Sequence, residues 1–137
     1  MKDENCIFCK IINKEIGSKI LYEDNYSLAF LDIFPISKGH TIVIPKNHYK
    51  NIEDIPEKEL IEVIITVKKI ANKLHNKLNL EGYNILQNNF KAAGQVVEHC
   101  HFHIIPRTIN DSRFRLKIPR ERANDEELND IINKIKS

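Results

Sequence analysis

The chain has 137 residues, 42% hydrophobic and 29% charged, with a formal net charge of +2. That length fits one domain with one core, and the composition excludes a disordered chain. The basic excess is too small to call for nucleic acid, and no stretch approaches the ~18 apolar residues of a membrane span.

The first residues, MKDENCIFCK, are charged and interrupted and lack the apolar core of a secretory signal. The expected compartment is the cytoplasm. Cysteines stand at 6, 9 and 100, and an odd count argues against a disulfide framework. Cys6-x-x-Cys9 reads as metal or redox chemistry, though no thioredoxin-like pattern surrounds it.

Residues 7–15 predict a short helix. Residues 19–23 and 26–31 read as two strands around an Asp24-Asn25 turn, and Asp32 to Gly39 as a loop. The run 40–46, HTIVIPK, is a strand ended by Pro45. Leu60, Ile64, Val67, Ala71, Leu74 and Leu78 make one apolar stripe of a long helix over 57–79. Pro56 suits its first turn, and Gly82 follows its end. Residues 82–87 alternate as a strand, 90–95 form a loop around Gly94, and 99–106 form another strand. The segment 108–123 is irregular and basic, with Arg107, Arg113, Arg115, Lys117, Arg120 and Arg122. Asn124 and Glu127 cap a last short helix that ends near Lys134. The fold class is α+β: about five antiparallel strands, one long helix and short terminal helices. The chain is one domain, 1–137, with 108–137 as a C-terminal extension.

The chemistry concentrates in His99-Cys100-His101-Phe102-His103. Alternate side chains of a strand share a face and lie ~7 Å apart. The three imidazoles therefore face one way, and Cys100, Phe102 and Ile104 face an apolar side that suits the core. Grouped imidazoles repel when charged and need desolvating when buried, so stability alone seldom selects them. A nucleophilic site and a metal site both remain open on this pattern.

The stretch Val97–Pro106 resembles the H-φ-H-φ-H-φ-φ signature of the histidine triad (HIT) family. The likeness extends to Cys6-Ile7-Phe8-Cys9-Lys10-Ile11, to Leu28-Ala29-Phe30-Leu31-Asp32-Ile33, to Gly39–His48, and to Asn88 with Gly94-Gln95. It covers about residues 4–107 in the family's order, and is greatest to the compact Hint-like nucleoside phosphoramidases and their bacterial relatives. The resemblance implies an enzyme that cleaves at the α-phosphate of purine nucleotide conjugates, of AMP or GMP type, through a nucleotidyl-histidine on His101. Such chemistry suits a neutral imidazole, whose ordinary pKa is near ~6.5. The implied catalytic residues are His101, His103, His40 and Asn88, with His40 orienting or buffering the nucleophile. Ile7, Phe8, Ile11, Phe30 and Ile33 would hold the nucleoside and Asp32 the ribose. Asn88, Gln95, His103 and the backbone N–H groups of Gly94 to Val96 would hold the phosphate. Many relatives have Ser where Val96 stands, which removes one donor. The third histidine, His103, is retained where the family's transferases typically carry Gln, which favours hydrolysis.

Bacterial relatives imply a structural Zn2+ on Cys6, Cys9, His48 and His99, and the family implies a homodimer. No organic cofactor is expected. Dinucleoside polyphosphate hydrolysis, and a nucleotide-binding scaffold with vestigial catalysis, are the competing readings. Cys100 is expected in the core, and His75 on the surface without a role.

Overall fold

The computed structural model describes residues 2–112 and 119–137. Arg113, Arg115 and Lys117 of the basic run lie outside the described residues. Five strands, β1 (Ile20–Glu23), β2 (Ser27–Leu31), β3 (Thr41–Pro45), β4 (Gly82–Gln87) and β5 (Phe102–Arg107), form one antiparallel sheet in the order β1-β2-β3-β5-β4. Among the described residues three α-helices accompany it: α1 (Ile7–Ile12), the long α2 (Glu57–Lys77) and α3 (Asp125–Lys136). The α+β class is as expected from the sequence.

Local chemistry explains the turns. Asp24 Oδ1 accepts the backbone N–H groups of Tyr26 and Ser27, both at 2.8 Å, which closes the β1–β2 hairpin as an Asx turn. The left-handed residue that ends α2 is Asn79, at φ +51, rather than a glycine; Asn tolerates this region better than most side chains. Gly39, at φ +92, does need to be glycine. A Cβ there would stand 2.8 Å from Leu78 Cδ1, so it lets the chain turn tightly into His40. Asn124 caps α3 as expected, accepting from the Glu127 N–H at 2.9 Å.

One face of the sheet packs on α2. Val63, Val67, Ile70, Ala71 and Leu74 bury against Ala29, Val43, Phe102 and Ile104, with Cys100 among them. The expected stripe is corrected at two positions: Ile64 and Leu78 are exposed, and Val63, Thr66 and Ile70 take their place in the core. The helix is apolar on two flanks, and a four-three spacing drawn through Leu60 and Ile64 strays from the core flank onto the other. On the opposite face of the sheet, α1 buries Phe8, Ile11 and Ile12 against Leu28, Phe30, Ile42 and Ile44. At ~25 cal/mol per Å2 of apolar area removed from water, these two clusters supply most of the favourable term in folding.

The strand predicted over 99–106 begins only at Phe102. The Cys100 N–H leaves the sheet pattern to donate to the Tyr49 carbonyl at 2.7 Å. The in-out alternation nevertheless continues upstream. Cys100 lies in the α2-side core, while His99 and His101 both set their rings edge-on to Phe8, at centroid distances of 5.9 and 5.1 Å.

Candidate active site

Helix α1 has six residues and covers the sheet only over β2 and β3. Beyond it the face opens into a cleft of about 530 Å3. Its apolar end is built by Ile7, Phe8 and Ile11 of α1 with Phe30 and Ile42, and its polar end holds Asn88, Gly94, His101 and His103.

His101 is 5% exposed. Its Nδ1 lies 2.7 Å from the backbone carbonyl of His99. A carbonyl only accepts, so the proton sits on Nδ1 and the lone pair on Nε2. No described residue bonds to that Nε2. A second set of bonds fixes His103. The Ile36 N–H donates to His40 Nδ1 at 3.1 Å, which puts the His40 proton on Nε2. That Nε2 lies 2.9 Å from His103 Nδ1, so His40 donates, His103 accepts, and the His103 proton is left on Nε2. His101 thus carries a free lone pair beside a His103 N–H, with ring centroids 4.9 Å apart.

Burial lowers the pKa of all three imidazoles below its ordinary value. For His40 the Asp32 carboxylate opposes the shift from 3.7 Å, and for His101 the His99 carbonyl and Asp32 oppose it. For His103 burial acts together with repulsion from His101 and His40, and its pKa is pushed down to about 4. At neutral pH the site therefore offers neutral imidazoles, the nucleophilic form.

Most of the residues singled out in the sequence converge here. Asp32 lines the cleft, and its Oδ1 also caps the following turn by accepting the Phe34 N–H at 2.8 Å. Ile33 is 76% and Val96 90% exposed, both at the cleft mouth. Two roles are corrected. His40 bonds to His103 rather than to His101. Gln95 does not face the cleft: its amide donates to the carbonyls of Lys50 (2.6 Å) and Val97 (3.1 Å) and accepts the Phe90 N–H at 2.8 Å. Phe90 sits at φ +71, ψ 157, a region that costs a bulky residue ~1–3 kcal/mol. Gln95 is thus the clamp that holds the loop beside Asn88. Leu86 and Ile42 were missed, although both pair with His103 in the ladders of β5; sheet register, not motif, would have found them. The Ser18 hydroxyl also lines the cleft and is, among the described residues, the buried side-chain polar atom without a partner. Nothing in the sequence marks it.

Behind the cleft, Cys6, Cys9, His48 and His99 bring one ligand atom each to within 4.8 Å of one another. Sγ to Nδ1 distances are 3.3, 3.4 and 3.6 Å, and the two Nδ1 atoms lie 3.3 Å apart. A tetrahedral zinc with ~2.3 Å sulfur and ~2.05 Å nitrogen bonds needs S–N edges of about 3.6 Å and an N–N edge of about 3.3 Å, so the donors fit a metal ion. His99 Nε2 donates to the Pro45 carbonyl at 2.8 Å, which leaves Nδ1 as the ligand atom. Burial drives the His99 pKa down to about 4, keeping it neutral for that role. One residue therefore joins both sites, with its ring in the cluster and its carbonyl holding His101.

The fold, the three imidazoles and the cleft go together with a match of residues 13–110 to the HIT domain. The chain belongs to the HIT family. It is 56% identical over 106 residues to an uncharacterized HIT-like protein of Methanocaldococcus jannaschii, across 77% of this chain and 81% of that protein. Over 136 residues it is 40% identical to the adenosine 5'-monophosphoramidase HNT1 of Candida albicans, across 96% of this chain and 90% of that protein. The crystal structure of a HIT family member from Bacillus subtilis matches with a TM-score of 0.90 at 40% identity, covering 97% of this chain and 96% of that one.

Proposed function

We propose that the protein hydrolyses purine nucleoside phosphoramidates, through a covalent nucleotidyl intermediate on His101. The observation that carries this reading is the fixed tautomer of His101, whose Nδ1–H is held by the His99 carbonyl while Nε2 is unbonded. The nucleoside lies against Phe8, Ile11 and Phe30, with Ile7 and Ile33 at the rim and Asp32 accepting from ribose hydroxyls. His101 Nε2 attacks the α-phosphorus in line and forms a P–N bond. The bond to the departing amine breaks, and its electron pair leaves on the amine nitrogen, which takes a proton from solvent. Water then attacks the same phosphorus, gives a proton back to solvent, and releases the nucleoside monophosphate and free His101. Charge gathering on the phosphoryl oxygens meets the His103 Nε2–H, the Asn88 amide and the backbone N–H groups of Gly94 to Val96. Both displacements use the same donors. The relative named as a 5'-monophosphoramidase supports this substrate class.

Cys6, Cys9, His48 and His99 hold a structural Zn2+ in this reading. With four protein ligands such an ion would leave no position for substrate, and would supply folding energy that pins α1 to the segment before His101. The protein acts as a homodimer, for which the exposed flank of α2 offers a surface. Ile61 and Ile64 lie there, and Ile64 is about three turns before His75, whose ring meets Tyr83 of the edge strand β4 at 5.8 Å.

The test is turnover of an adenosine 5'-phosphoramidate against a dinucleoside polyphosphate, with His101→Ala as control. The expected result is AMP from the amidate, with binding kept and turnover lost in the variant. Faster cleavage of the polyphosphate would replace the substrate class. Wild type that binds nucleotide but cleaves neither would leave a binding protein.

A further inference from the structure

Helix α3 is amphipathic and, among the described residues, without a packing partner. Leu128, Ile131, Ile132 and Ile135 fall at i, i+3, i+4 and i+7 and form one stripe, and every residue of the helix is exposed. Its hydrogen bonds close within the helix and its cap. A helix of 12 residues is marginal in water unless something buries its apolar face.

The same chain leaves two apolar surfaces uncovered beside α2. The flank around Ile61, Ile64 and Ile65 carries charges of both signs, with Glu57 and Lys68 on its face. The other is a groove of about 390 Å3 between the β1–β2 edge and the C-terminal half of α2, floored by Leu21, Leu31, Leu74 and Leu78 and bordered by Lys38, Lys73 and Lys77. Among the described residues no carboxylate lines this groove, and none of the three lysines is in an ion pair.

Charge separates the two surfaces. The first turn of α3 carries Asp125, Glu126 and Glu127 and its last turn Lys134 and Lys136; on a helical wheel Asp125 and Glu127 border the apolar stripe on its two sides near its start, as Lys134 and Lys136 do near its end. A stripe edged with carboxylates at its N-terminal end complements an apolar floor edged with ammonium groups alone, whereas the flank, with both signs, offers no such match. The end of β5 lies close to the groove of its own chain, since Lys38 and Leu78 also border a hollow lined by Arg107 and Thr108. Helix α3 nevertheless stands clear of that groove. We propose that the groove receives α3 from a second copy of this chain, with Asp125 and Glu127 meeting Lys38, Lys73 and Lys77 as the four apolar side chains cover the floor.

The inference rests on the homodimer reading and adds an exchanged arm to it. The test uses the full chain carrying Leu21→Cys or Ile132→Cys, both at exposed positions, mixed to allow subunit exchange and then oxidised. The expected result is a disulfide-linked dimer from the mixture and from neither protein alone. Lys73→Glu with Lys77→Glu in the groove copy should reduce it to background, and Asp125→Lys with Glu127→Lys in the arm copy should restore it. A monomeric link within a Leu21→Cys/Ile132→Cys double variant, or a link from Ile132→Cys to Phe34→Cys at the cleft mouth, overturns the assignment. A dimer by sedimentation that gives no link in any mixture sinks the arm alone, whereas a monomer by sedimentation sinks the dimer with it.

Discussion

Replacing His40 by Leu removes the donor that fixes the His103 tautomer and nothing that touches phosphate. The bond removed is the 2.9 Å contact from His40 Nε2 to His103 Nδ1. Without it His103 can place its proton on Nδ1, turning an unprotonated Nε2 toward the charged oxygens. Deleting one preorganised donor to a developing oxyanion costs ~10²–10³ in kcat, or about 2.7–4 kcal/mol. His103→Leu should fall in that range, and His40→Leu should lose less, about 10- to 100-fold, since it weakens the donor without deleting it. Because His40 acts through His103, the double variant should be no slower than His103→Leu alone. His40→Gln, which keeps an N–H donor, should recover part of the loss. The assay is single-turnover release of AMP from an adenosine phosphoramidate, with KM followed in parallel and expected to change little. Multiplicative losses in the double variant would refute the chain of bonds and place His40 on the substrate or on His101.

Three other outcomes follow from the same geometry. Metal analysis of the purified protein should give one zinc per chain. Cys6→Ser should lose it and lower Tm by about 10 °C, the shift for a loss of roughly 3 kcal/mol in a domain of this size; an unchanged Tm would remove the metal from the fold. Acid should destabilise the protein through His103. Its pKa is about 4 in the fold against 6.5 ordinarily, so the unfolded chain binds a proton the native one refuses. Stability is then complete above pH 6.5 and falls toward pH 4, by up to ~3 kcal/mol from this residue. Denaturant titrations of wild type and His103→Gln between pH 7 and 4.5 should show a shallower slope for the variant, and equal slopes would contradict the assignment. Gln95→Ala should lower stability by ~1–3 kcal/mol through the freed Phe90 N–H and the strained loop and raise KM. A loss confined to kcat would return Gln95 to the phosphate.

The site was largely legible because its signals are local in sequence. Alternation puts His99, His101 and His103 on one side whatever the ladder does, and it holds even though β5 starts only at Phe102. The resemblance also brought Cys6, Cys9, His48 and His99 together, which the donor distances support. What escaped was set by tertiary context. Which nitrogen of His40 or His103 carries a proton depends on the Ile36 N–H, a backbone group that no side-chain pattern encodes. Gln95 looks like a phosphate ligand in sequence, yet its amide is consumed by Lys50, Val97 and Phe90. Ile64 and Val63 are equally apolar, and only the angle at which α2 meets the sheet makes one core and the other surface.

The most direct measurement of the central claim is mass spectrometry of protein mixed with an adenosine phosphoramidate and quenched within one turnover. The account predicts an adenylyl group on the peptide containing His101, formed and discharged at the rate of turnover and absent from His101→Ala. Full hydrolysis with no protein-bound nucleotide at any quench time, or the adduct on another histidine, would contradict it.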